Sequence, residues 1–147
     1  WGADSSLYYT VEVRTGTVLD SFTSEQVAEI GTLLGTNDPE NSLFHTNVIQ
    51  LYRRAPDGTE TLLHEMDAYG VGRLALHGDV LVFSTSPNGE AWLQAVLDGS
   101  LDQSNRFFGA AAAYVPITVH YLQLNADGTV GESGTLPGNL QRVAVPR

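Results

Sequence analysis

Asn47-Val-Ile-Gln-Leu-Tyr-Arg-Arg54, then Ala55-Pro56-Asp57-Gly58-Thr59, then Glu60-Thr-Leu-Leu-His64 is the stretch that decides the fold. β-Branched and aromatic residues recur in both arms, while Pro-Asp-Gly supplies a pre-set φ followed by a residue free to take positive φ. The stretch therefore predicts two antiparallel strands about a tight turn. The same signal recurs on either side. Gly72 to Leu76 and Val80 to Ser84 flank His77-Gly78-Asp79, and Val115 to Leu124 and Val130 to Ser133 flank Ala126-Asp127-Gly128-Thr129. Upstream, Leu7 to Val13 turns at Thr15-Gly16 into Thr17 to Leu19; downstream, Ser86-Pro87-Asn88-Gly89 leads into Ala91 to Leu97, and Leu140 to Val145 is the last strand. Turn signals at roughly 8 to 12 residue intervals predict an all-β chain, an antiparallel meander or sandwich.

One segment breaks the period. Thr23 with Gln26 three residues on has the form of a capping box, Val27, Ile30, Leu33 and Leu34 recur at helical spacing, and Gly35 suits the stop position. A single short helix over Ser24 to Leu34 is expected to pack its apolar stripe on a sheet, since Gly31 inside it costs about 1 kcal/mol relative to alanine. Gly35 to Thr46, with Asn37-Asp38-Pro39-Glu40-Asn41, reads as an exposed loop. The turns at Asp57-Gly58-Thr59 and Asp127-Gly128-Thr129 overlay at a spacing of about 70 residues, which raises internal repetition as a question.

Composition bounds the rest. The chain has 147 residues with 17 acidic and 7 basic side chains, for a formal charge of −10. One domain over residues 1–147 is expected, and a chain of this size buries enough surface to need no staples. Every basic residue is arginine and no cysteine is present. Disulfides, thiolate metal sites and cysteine nucleophiles are thus excluded, and an acidic surface does not suit a phosphate backbone, so nucleic acid is not an expected partner. Phe107 to Ala126 lacks formal charge but carries Pro116, His120, Gln123 and Asn125, so no membrane span is expected. Trp1 in place of methionine is expected either of a chain whose leader was cleaved, which would make the protein extracytoplasmic or secreted, or of a piece cut from a larger chain.

The stretch from Leu74 to Trp92, with Ser86, Asn88, Gly89 and Trp92 in sequence, resembles part of a β-propeller blade of the Asp-box type. In that family the box is a structural hairpin, with Asn88 here where Asp is usual and Ala91 where Ser or Thr is usual. The resemblance implies a propeller fragment as the alternative fold. Propellers need at least four blades of roughly 40 residues, and this length supplies about three.

Catalytic signatures are sparse. The histidines at 45, 64, 77 and 120 form no His-Glu-x-x-His, Asp98 to Asn105 lacks the glycine and glutamate of a calcium loop, and neither a Gly-x-Ser-x-Gly elbow nor a phosphate loop occurs. No cofactor and no metal are expected. Glu65 and Asp67 share a strand face, the spacing that a carboxylate pair of a glycan-acting hydrolase would need, though any i, i+2 pair has it.

Aromatic residues spread over the strands give the stronger signal. Adjacent pairs such as Tyr8-Tyr9 and Phe107-Phe108 must point to opposite faces, so some rings face outward. Tyr52, Tyr69, Trp92 and Tyr121, with Arg54, Arg73 and Arg106 as a hydrogen-bonding rim, are the candidate binding residues. Gly109-Ala110-Ala111-Ala112-Ala113 is expected to be buried beneath the helix or in a subunit contact. The reading is a non-catalytic binding or assembly module contacting a glycan or another protein chain; the alternatives are the hydrolase and a structural subunit of a homo-oligomer or filament.

Overall fold

The computed structural model describes residues 5–101 and 114–136. Its first sheet has three antiparallel strands in the order β1 (Leu7–Thr17), β2 (His45–Arg54), β3 (Glu60–Asp67). The second sheet is built from β4 (Gly70–Val71), β5 (Ala75–His77), β6 (Val80–Ser86), β7 (Thr118–Leu124) and β8 (Val130–Leu136). Its order is β4-β6-β7-β8, with β5 sharing the outer edge of β6 with β4. The mostly-β architecture of antiparallel sheets is as expected. Two helices accompany it, α1 (Ser24–Leu34) and α2 (Glu90–Leu97).

Strand alternation builds the core between the sheets. Leu51 from β2 faces Leu81 and Phe83 of β6 and Leu122 and Leu124 of β7, with Tyr8, Leu63 and Met66 packed around them. A second core lies among the helices, where Ile30 of α1 and Trp92, Leu93, Ala95 and Val96 of α2 bury against Val18, Leu19 and Phe44. Each buried side chain of this size removes about 1.5–3 kcal/mol worth of apolar surface from water.

α1 has the predicted span and ends, but its apolar stripe packs on α2 and on Val18, Leu19 and Phe44 where a sheet was expected, because the 3-10 turns on either side bring those side chains to it. Thr23 Oγ1 accepts from Gln26 N–H while Gln26 Oε1 accepts from Thr23 N–H, and Gly35 closes the helix at φ 77°. Gly31 has a packing reason: a Cβ there would lie 2.9 Å from Asn37 Nδ2, because the following loop folds back over the helix.

Three expectations are corrected. Ala91 to Leu97 is helical and forms most of α2, because Trp92, Leu93 and Val96 recur at i, i+1 and i+4 and bury together. Thr15-Gly16 is no hairpin turn: β1 continues to Thr17, pairing with β2 throughout, and absorbs the irregularity as a bulge between Arg14 and Gly16. The loop after α1 is less exposed than its polar residues suggest, since Asn41 caps a 3-10 turn, Ser42–Phe44, that sends Phe44 fully into the helical core. The strand expected at Leu140 to Val145 and the alanine run at 110–113 lie outside the described residues.

Between the sheets the chain crosses at Ala68 and Tyr69. Ala68 N–H donates to Asn47 O at 3.1 Å, Tyr69 N–H to Ser86 O at 2.9 Å, and Asn47 Nδ2 to Tyr69 O at 2.6 Å. Among the described residues no helix is long and apolar enough to cross a membrane.

Candidate functional site

Register fixes what the outer face of the first sheet presents. Tyr9 is opposite Tyr52, which is opposite Leu62; Val11 is opposite Gln50, which is opposite Glu65; Val13 is opposite Val48, which is opposite Asp67. A fourth row runs Leu7, Arg54, Glu60. The bulge between Leu51 and Tyr52 keeps Glu60, Leu62, Glu65 and Asp67 on one face although their numbers change parity. The β1 column is therefore apolar, with Val11 38% and Val13 39% exposed. The β3 column is acidic around Leu62, which is 46% exposed.

Tyr9 and Tyr52 stack with centroids 5.6 Å apart and planes 16° from parallel. Their hydroxyls are used within the sheet: Tyr9 Oη donates to Glu60 Oε1 at 2.8 Å, and Tyr52 Oη to Gln50 Oε1 at 3.1 Å. Gln50 Nε2 in turn donates to Glu65 Oε2 at 2.7 Å. The bond to Glu60 holds the Tyr9 phenol above the usual tyrosine range, because ionising it would set two anions side by side.

The remaining candidate residues are placed elsewhere. Arg54 is exposed at the end of the same face, while Tyr121 lies on the outer face of the second sheet. Its ring covers Gly134, where a Cβ would come 2.8 Å from Tyr121 Cε1, and its hydroxyl donates to Glu132 at 2.8 Å, which raises the phenol's pKa. Tyr69 is half-buried at the crossing and Arg73 is exposed between β4 and β5. Trp92 is 7% exposed within the helical core, so its ring is packing rather than a contact surface. Arg106 lies outside the described residues. The six described residues do not converge on one site; Tyr52 and Arg54 share a face, and Tyr69, Arg73, Trp92 and Tyr121 are distributed.

A cleft of about 350 Å³ opens at the corner between the sheets, lined by His64, Met66 and Asp67 from β3 and by Thr85, Thr118 and His120 from β6 and β7. His120 stacks on Phe83 with centroids 5.2 Å apart, and its Nε2 is 2.8 Å from Thr85 Oγ1. Burial holds its pKa below the ordinary histidine value, and the charge of His64 across the cleft adds in the same direction. This pair was legible only in part. His120 has the parity of Leu122 and Leu124, but nothing in the sequence says that His64 comes from the opposite wall.

Glu65 and Asp67 have different surroundings, Glu65 on the open face with Gln50 and Asp67 at the rim of the cleft. Among the described residues no three His, Asp or Glu side chains are arranged to hold a metal ion. Comparison with family models, with curated proteins and with solved structures finds no match for this chain.

Proposed function

We propose that the chain is a non-catalytic binding module that engages a partner protein through the outer face of its three-stranded sheet. The observation that carries this reading is the ordered grid of that face, an apolar column on β1 and an acidic column on β3 with β2 between them, and Val11, Val13 and Leu62 left in water. Sugar rings need an aromatic face to lie on. Here Tyr52 stands between Tyr9 and Leu62 and both hydroxyls are already bonded, so the geometry favours a protein over a glycan. Glu60, Glu65 and Asp67 outnumber Arg54, so the fitting partner presents an apolar strip flanked by Lys or Arg. A second copy of the chain, also at −10, would bring like charge to like charge.

The test is selection of displayed random peptides on the folded protein, with Leu62→Asp and Val11→Asp variants as counter-targets. Both positions are exposed, so stability should change by no more than about 0.5 kcal/mol. Selected peptides should alternate apolar and basic residues, weaken with salt, and lose about tenfold or more in affinity on either variant. Peptides without basic residues, or equally bound by the variants, would remove the support for this face.

A further inference from the structure

The corner cleft sets one imidazole on each wall. His64 is opposite Leu51 in the first sheet, while His120 is opposite Phe83 in the second. We infer that this pair is an acid-sensing joint: with both rings neutral the two walls close on each other, and with both protonated they separate at this corner.

The charged groups around the joint favour that outcome. β3 contributes His64 and Asp67; β6 and β7 contribute Phe83, Thr85 and Thr118, all uncharged, and β8 places Thr135 opposite His120. The carboxylate of Glu12 on β1 is engaged with the Val71 N–H at 3.4 Å. Asp67 is the one carboxylate lining the cleft, at its rim and on the outward side of β3, so it does not neutralise two imidazoles once they are charged. Protonation also changes the hydrogen bond. A neutral His120 Nε2 can accept from the Thr85 hydroxyl or donate to it, whereas an imidazolium only donates, and Thr85 must then turn its proton elsewhere.

β4 is a short strand: it pairs with β6 through Gly70 with Ser86 and Val71 with Thr85, flanked by bonds from Tyr69 N–H to Ser86 O and from Gly72 N–H to Ser84 O, and Thr85 is the residue bonded to His120. Local opening of such a segment requires far less free energy than global unfolding. The direction in pH follows from His120, whose folded pKa is depressed below an unfolded value of about 6.5. Its contribution to the closed form is complete above that value and is lost as pH falls through the folded pKa.

Met66 lines the cleft and the chain has one methionine, so a single methyl resonance reports on the joint. The experiment is a titration of the intact protein from about pH 8 to 5, following the Met66 methyl and both histidine ring signals, with amide exchange at Ala68 and Val71. The Met66 signal should move in step with His120, and exchange at the two amides should speed by about tenfold or more across the transition. His64→Gln should shift the His120 titration to higher pH and flatten the Met66 response. A Met66 signal that stays fixed while His120 titrates overturns the inference in the wild type alone, and so does an unchanged titration in the variant.

Discussion

Among the described residues, 7–67 and 80–136 share a sequence of elements: strand, helix, strand, Asp-Gly-Thr turn, strand. In both turns the residue before the turn pairs with its threonine, Ala55 with Thr59 at 2.9 Å and Asn125 with Thr129 at 2.8 Å, and the aspartate accepts from the threonine N–H. The spacing of about 70 residues thus marks a recurring architecture. The halves differ in what stabilises the shared parts. α1 has a complete capping box and one fully buried residue, Ile30, whereas α2 starts at Gly89 without a side-chain cap and buries Trp92, Leu93, Ala95 and Val96. A helix lacking local signals persists where tertiary burial replaces them.

The strongest way to break the comparison is to empty the core that joins the halves. Leu51→Ala and Leu122→Ala each remove a side chain that is 1% exposed, and each should cost about 2–5 kcal/mol in urea denaturation. Because both line one core, the double variant should depart from additivity. Simple additivity would mean that each half packs independently.

A finer distinction separates the two turns. Gly58 and Gly128 both have positive φ, at 88° and 81°, so alanine at either should cost about 1–2 kcal/mol. At Gly58 a new Cβ meets open space, but at Gly128 it would lie 2.7 Å from Arg53 Cζ. Gly128→Ala should therefore lower the melting temperature more than Gly58→Ala; equal losses would show that Arg53 moves aside freely.

The smallest effects concern the helix starts. Thr23→Ala should cost about 1 kcal/mol by removing a bond that α1 uses, while Gly89→Ser should add a few tenths of a kcal/mol to α2. Gly89 has φ −78°, and a Cβ there meets only ordinary contacts at 3.7 Å, so serine fits. A loss at position 89 would mean that α2 begins where it does for packing reasons alone.

These contrasts also explain what the sequence disclosed. Turns at Gly58, Gly78 and Gly128 and the box at Thr23 and Gln26 are encoded by neighbours in the chain, and all were readable. α2 reads as a strand because Ala91 to Leu97 is apolar at nearly every position, leaving burial as the deciding factor, although Trp92 and Val96 stand at the i, i+4 spacing of a helix. Gly16 reads as a turn in sequence because glycine serves a bulge as well as a corner. The proposed binding face is legible in Tyr52 and Arg54 and hidden in Leu62, since the bulge that keeps Leu62 beside Tyr52 depends on pairing with a distant strand. The cleft needed both sheets in place before His64 and His120 became neighbours.

Among the described residues, the strands of each sheet come from their own stretch of chain, with Ala68 and Tyr69 as the join. A single cut there would leave two fragments, each holding its own ladder and one of the two helices. Their reunion would rest chiefly on side chains meeting across the interior, with Asn47 as a polar fastener at the seam. The fold is thus laid out as a split reporter, whose recovered signal would measure how well two independently made sheets recognise each other.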